Sequence, residues 1–167
     1  MLELARCARP TVRGRSTYTV LGFAGYAVAS LFGAVLATAW GLTLGERVVA
    51  LVAPPVAFIA VVTVATAIKR REWIVFYQAA FGAVAAVVVT GLAIDARVWR
   101  LLDVAVLGIG VFLVFGRLGC FHVACCHGRP ARRGVVYGAA HVAVGFWPCW
   151  QGRPLFPVQL VESAGSL

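Results

Sequence analysis

Apolar residues fill four long runs along this chain, and short charged links separate the runs. The runs cover residues 18–44, 48–68, 73–94 and 101–115. A helix needs about 20 mainly apolar residues to cross the hydrocarbon core of a bilayer. Such runs in series predict an all-α, polytopic membrane protein with about four transmembrane helices.

The same pattern divides the chain into four parts. Residues 1–16 form a basic tail, which we expect to be flexible, and residues 17–116 form the transmembrane helical bundle. Residues 117–154 begin with a cysteine-rich stretch and continue as a predicted interfacial loop. Apolar residues return at 155–167, but they are too few to cross a bilayer. We therefore expect them to begin an incomplete fifth transmembrane helix.

Composition indicates the same class of protein. Of the 167 residues, 62% are hydrophobic and 13% are charged, whereas about 25% of the residues of soluble domains are charged. The net charge is +9, and every basic residue except Lys69 is an arginine. A nucleic-acid-binding protein can be as basic, but it needs no apolar runs of spanning length. Membrane topology and anionic lipid headgroups explain the arginines better.

The first apolar run carries a small residue at every fourth position. These residues are Gly25, Ala29, Gly33, Ala37 and Gly41. The spacing places them on one face of a helix, where small side chains let another helix approach closely in lipid. The stripe therefore predicts helix packing.

Residues 116–128 read G-R-L-G-C-F-H-V-A-C-C-H-G and follow directly on an apolar run. Ionisable side chains at membrane depth are costly to bury, so this stretch is the candidate functional site. One interpretation makes Arg117 a clamp for phosphate, because a guanidinium presents a planar fork of donors and keeps its charge. The alternative is an arginine whose charge reaches out to water at the membrane surface.

The cysteines and histidines of this stretch allow two other interpretations. Their residue types suit zinc or copper, with Cys120, Cys125, Cys126 and His127 as candidate ligands and His122 as a further one. Their spacing is not that of two separate C-x-x-C pairs, and so many ligands so close in sequence cannot all converge on one ion. The neighbouring thiols of Cys125 and Cys126 also suit redox chemistry. The residues alone leave these alternatives open.

Residues 116–128 resemble the signature of the bacterial prolipoprotein diacylglyceryl transferases, Gly-Arg-x-Gly-Asn-Phe-x-Asn-x-Glu-x-x-Gly. They are more similar still to a divergent branch that reads G-C-F-x-x-x-C-C-x-G-x-P. Residues 76–80 resemble the family's Phe-(His or Tyr)-Gly-Gly-Leu stretch, and residues 155–162 resemble its His-Pro-x-Gln-Leu-Tyr-Glu motif. In the signature, Cys120, Val123 and Cys125 take the positions of two asparagines and a glutamate.

The resemblance implies a multi-pass enzyme of the bacterial inner membrane. It would move diacylglyceryl from phosphatidylglycerol to the lipobox cysteine thiol of lipoprotein precursors, with no cofactor and no nucleic acid. Carried over by position, Arg117 and Tyr77 would be catalytic. The substrate-binding residues would be Arg117, Cys120, Gly128, Gln159 and Glu162.

The family's later spans have no counterpart in residues 1–167, so the resemblance predicts a divergent, C-terminally truncated member. The alternative from a different functional class is a non-catalytic membrane protein. Such a protein would bind a metal ion or lipid through the Cys/His stretch at residues 120–127.

Overall fold

Four long helices dominate the computed structural model, which describes residues 11–70 and 75–166. They are α1 (Thr17–Ala39), α2 (Leu44–Lys69), α3 (Phe76–Ala93) and α4 (Val98–His122). All four are long and apolar enough to cross a membrane, by length and composition. The predicted fold class and its four spans are confirmed. The first ten residues of the predicted tail and the predicted start of the third span, at residue 73, lie outside the described residues.

A tight hairpin directly precedes α1. Its strands, β1 (Thr11–Val12) and β2 (Arg15–Ser16), pair antiparallel. Arg13 and Gly14 make the turn, with φ of +51° and +75°. The hairpin therefore occupies the end of the segment that the sequence predicted as a flexible tail.

The chain divides into two compact units. The helical unit comprises Ala29–Ile109, and the signature unit comprises the described residues of Met1–Val28 and Gly110–Leu167. In the helical unit, small and aliphatic side chains make the core. They are Ala37, Leu42, Ala50, Val87, Leu101, Val104 and Ala105. Three of the seven are alanines, which is typical of helices that pack closely in lipid.

A buried carboxylate ties the start of α2 to the link between α3 and α4. Glu46 is 5% exposed, and it forms a capping box with Thr43 at the start of α2. The same carboxylate accepts from both arms of Arg97, Nε at 3.0 Å and Nη2 at 2.7 Å. Arg97 lies in the link before α4, so the pair fixes the start of α2 to the α3–α4 link. This bidentate geometry satisfies a charge that would otherwise be costly to bury.

The small-residue stripe on α1 contacts neighbouring helices. Ala37 is fully buried. A Cβ added at Gly33 would lie 3.1 Å from Leu51 Cδ2 and 3.5 Å from Val104 Cγ1. These neighbours leave little space for a side chain at Gly33. Gly41 lies beyond the end of α1, in the turn that follows, with φ of +63°. Within the helical unit, the stripe is a packing surface as far as Ala37.

α4 extends beyond the predicted end of the fourth span and finishes at His122 with a left-handed turn. The N–H of Cys125 donates to the carbonyl of Cys120 at 3.1 Å, and that of Ala124 donates to the carbonyl of Phe121 at 3.4 Å. With Ala124 at φ +57°, these bonds make a Schellman motif, which brings Cys125 back over the last turn of the helix. Glycine is the usual residue at this left-handed position, so alanine is strained there.

Short strands and helices occupy the region that the sequence predicted as an interfacial loop. β3 (Pro130–Val136) pairs antiparallel with β4 (Pro154–Leu155), and α5 (Ala139–Val142) and a 3₁₀ turn (Pro148–Trp150) lie between them. The last helix, α6, runs only from Val158 to Gly165. This region has a core of its own, made by Phe121, Ala124, Val135, Tyr137, Phe146 and Leu155.

The contact at Gly33 makes a first prediction. Gly33→Leu should lower the unfolding temperature in detergent, because the new side chain collides with Leu51; overpacking of this kind costs about 1–3 kcal/mol. Gly22→Leu on the same helix is the control, since a Cβ added at Gly22 meets nothing within 4 Å. Equal unfolding temperatures for the two variants would show that Gly33 is not at a packed contact.

The left-handed alanine makes a second prediction. Ala124→Gly should stabilise the protein by about 0.5–1 kcal/mol, because glycine adopts a positive φ without the clash that alanine suffers. Thermal unfolding in detergent measures the change. Ala143→Gly is the control, since Ala143 has a right-handed φ of −59° and gains nothing from glycine. A lower unfolding temperature for Ala124→Gly would contradict the strained turn.

Candidate active site

Arg117 lies near the C-terminal end of α4 and is 8% exposed. Its Nε is 2.6 Å from Oε2 of Glu162 on α6. The carboxyl end of a helix favours a cation, and a carboxylate partner offsets the cost of burying one. The structure thus brings together two residues that the sequence selected from two separate motifs.

Polar side chains dock α6 against the rest of the signature unit. Gln159 is 1% exposed, and its Nε2 donates to the carbonyl of Cys125 at 2.8 Å. Ser163 Oγ donates to the carbonyl of Val114, on α4, at 3.0 Å. Because Gln159, Glu162 and Ser163 are three and four residues apart, they lie on one face of α6. This face holds both the arginine and the backbone of the cysteine turn.

Three cysteines converge beside Arg117. The Sγ atoms of Cys120, Cys125 and Cys126 all lie within 4.8 Å of one another, and all three thiols are free. The Schellman motif explains the convergence, since it returns Cys125 to the helix turn that carries Cys120. Cys126 then takes a left-handed φ of +53°. The arrangement is a group of three soft ligands within reach of one ion.

The cysteine thiols affect one another's pKa values, and the charge of Arg117 affects them as well. Hydrogen bonds with Cys120 and Cys125, together with the charge of Arg117, lower the pKa of the Cys126 thiol. The pKa of Cys125 is raised by its hydrogen bonds with Cys120 and Cys126 and by burial. Cys126 is also exposed, whereas Cys120 and Cys125 are partly buried.

Two tyrosines, which the sequence did not indicate as site residues, lie next to the site. The ring of Tyr18, on α1, packs against Gly119, where an added Cβ would lie 3.0 Å from Cδ2 of the tyrosine. Burial raises the pKa of Tyr137 to about 12, and its hydroxyl donates to the carbonyl of Phe121 at 3.5 Å. Neither residue belongs to a motif, and only the fold brings Tyr18 near the cysteines.

Gly128 and His127 have packing partners next to the site. The N–H of Gly128 donates to the carbonyl of Phe156 at 3.1 Å, and an added Cβ would lie 2.5 Å from that oxygen, so only glycine fits. His127 stands edge-on to Phe146 and Trp150, with ring centroids 5.3 and 6.5 Å away. Of the four candidate metal ligands, the structure groups the three cysteines and leaves out His127.

Tyr77 lies in the first turn of α3, in the helical unit, and is 55% exposed. Its ring is edge-on to Phe76, with centroids 5.7 Å apart. The catalytic role that the resemblance implies for it stays a prediction.

Comparison with known proteins agrees with these observations. The chain matches the family model for prolipoprotein diacylglyceryl transferase over residues 18–167. No curated protein and no solved structure matches it. The matched range contains α2–α6 and every residue of the site described above. The chain therefore belongs to the prolipoprotein diacylglyceryl transferase family.

Proposed function

We propose that this multi-pass membrane protein transfers diacylglyceryl from phosphatidylglycerol to the lipobox cysteine thiol of lipoprotein precursors, in the bacterial inner membrane. The observation that carries the proposal is the buried Arg117, held by Glu162 within a chain that matches the family model. Membership of the family supports lipid and lipoprotein precursors as the substrates.

Arg117 is suited to bind the lipid phosphate. A guanidinium has five N–H donors in one plane, so it can contact a carboxylate and a phosphate at the same time. Glu162 lies 2.6 Å from Nε of Arg117 and so neutralises the buried guanidinium on that side. Gln159 holds the backbone of the cysteine turn in place. In this proposal Glu162, Gln159, Gly128 and Cys120 shape the substrate site around the arginine.

The reaction replaces a carbon–oxygen bond with a carbon–sulfur bond. The acceptor sulfur attacks the glyceryl carbon that carries the phosphate, the bond between that carbon and oxygen breaks, and glycerol phosphate leaves with the electron pair. Arg117 stabilises the negative charge of the leaving phosphate, which is where electrostatic stabilisation contributes most. Tyr77 orients the acceptor thiol or takes its proton.

Direct transfer to the acceptor is the simplest course. A diacylglyceryl group placed on Cys126 would form a thioether, and a thiolate is a poor leaving group from carbon. Modified Cys126 would therefore be a dead end. The cysteines of this chain consequently need a role other than carrying the lipid.

Arg117→Lys tests the phosphate clamp. The variant keeps the charge but loses the planar fork, so we expect phosphatidylglycerol binding to weaken about tenfold or more, which corresponds to about 1.4 kcal/mol. Vesicle binding at matched ionic strength measures the change. Transfer of labelled diacylglyceryl to a lipobox peptide should fall with it.

Arg132→Lys is the matched control. Arg132 is exposed on β3, and exposed charges contribute little to binding and tolerate exchange. Unfolding temperatures of both variants establish that they are folded. If folded Arg117→Lys binds phosphatidylglycerol as tightly as the parent protein does, Arg117 is not a phosphate clamp. If the parent transfers no label yet binds a stoichiometric metal ion, the non-catalytic alternative is correct.

A further inference from the structure

The cysteine group has the dimensions of a metal site. Zinc–sulfur bonds are about 2.3 Å long, so sulfurs arranged tetrahedrally around one zinc ion are roughly 3.8 Å apart. Cys120, Cys125 and Cys126 have all their sulfurs within 4.8 Å of one another, so a small adjustment of rotamers closes the group around an ion. The spacing of these cysteines is not that of a C-x-x-C pair. Here the Schellman motif at the end of α4 brings the three sulfurs together.

The local backbone is shaped for this convergence. Ala124 and Cys126 both have positive φ, although neither is glycine or asparagine. Left-handed conformations of such residues are strained, and strain of this kind occurs at functional sites. The buried amide of Gln159 holds the turn in place, because its Nε2 donates to the carbonyl of Cys125 at 2.8 Å. The turn is thus held by tertiary contacts.

The number of ligands distinguishes the kind of site. Among the described residues, the group consists of three cysteines and gains no histidine or carboxylate. Structural zinc sites have four protein ligands, whereas catalytic zinc sites have three and leave the fourth position for water or substrate. Cys126 is exposed, so the group is accessible from outside the protein.

We propose that Cys120, Cys125 and Cys126 bind one Zn²⁺ ion, and that its fourth position takes the thiol of the acceptor cysteine. This inference rests on the proposed function. A thiol bound to zinc loses its proton, and the resulting thiolate is the nucleophile that alkyl transfer needs. The proton passes to solvent, so Tyr77 would only orient the acceptor, and the oxidation state of zinc does not change. Cysteines then stand at two positions where the family signature has asparagine and glutamate because they hold an ion.

The two halves of the reaction meet at this place. Arg117 lies three residues before Cys120 on α4, so the proposed phosphate clamp and one of the proposed zinc ligands are neighbours on the same side of the helix. An acceptor sulfur on the ion would approach the lipid beside the phosphate that Arg117 holds. After attack, glycerol phosphate leaves and the thioether, a weaker ligand than a thiolate, leaves the metal.

Metal content tests the site independently of activity. The full chain, purified in detergent under reducing conditions and equilibrated with Zn²⁺, should retain one ion per chain. Cys126→Ser and Cys125→Ser should weaken zinc binding by more than the roughly 10–100-fold that loss of an outer-shell partner costs. Cys149→Ser is the matched control, since Cys149 is exposed and outside the group. Absence of zinc, or equal zinc in all variants, would overturn the proposal.

Cobalt substitution tests the fourth position. The sulfur-to-metal absorption of the Co²⁺-loaded protein should increase when a lipobox peptide adds a fourth thiolate. The same peptide with serine in place of cysteine should leave the spectrum unchanged. An identical response to both peptides would overturn the role of the ion in binding the acceptor.

The outcomes separate this inference from the proposed function. If Cys126→Ser loses zinc and the cysteine peptide changes the cobalt spectrum, the site stands even where no lipid is transferred. If the protein transfers lipid equally well after removal of zinc by a chelator, the function stands and the inference fails. A disulfide between Cys120 and Cys125 in the protein isolated without reductant, with no zinc bound, would assign the group to redox chemistry and overturn the proposal.

Discussion

The permanent charge of Arg117 is the constraint around which the signature unit is built. Arginine does not lose its proton in a protein, so burial to 8% exposure requires an anion nearby. Glu162 is that anion, 2.6 Å away. Removing one partner of a buried pair costs about 3–5 kcal/mol, and the exposure of Glu162 reduces this figure. This pair helps to fix the position of α6, because an eight-residue helix has little apolar surface with which to hold itself.

The polar face of α6 does more than neutralise a charge. Gln159 and Ser163 each donate to a backbone carbonyl, one in the cysteine turn and one on α4. Backbone that leaves a regular helix near a membrane must find hydrogen-bond partners within the protein. The strand pair β3–β4 meets the same need for the segment after the turn. Irregular backbone at the end of α4 is therefore stabilised from two sides.

Sequence patterns predicted the helices well and the cysteine group poorly, for physical reasons. The four spans follow from apolar length, which is a local property. Arg117, Gln159 and Glu162 came from motifs, and the structure places them together. The convergence of the cysteines depends on a left-handed residue at position 124. A glycine there would have indicated the turn in the sequence, but the residue is alanine. β3 begins at a proline and contains two arginines, so its sequence lacks the alternation that marks a strand.

The difference in burial between Arg117 and its neighbours explains how one arginine could interact with several anions. Glu162, the Cys126 thiolate and a lipid phosphate would all be negative, and they would repel one another if all were buried. The structure buries only the cation: Arg117 is 8% exposed, whereas the side chain of Glu162 is 36% exposed and Cys126 is also exposed. Attraction to the arginine then acts partly through protein, where charges interact strongly, while repulsion among the anions is screened by water. In the proposed mechanism an anionic substrate could enter such a site, because the protein holds the cation inside and leaves the anions at the edge.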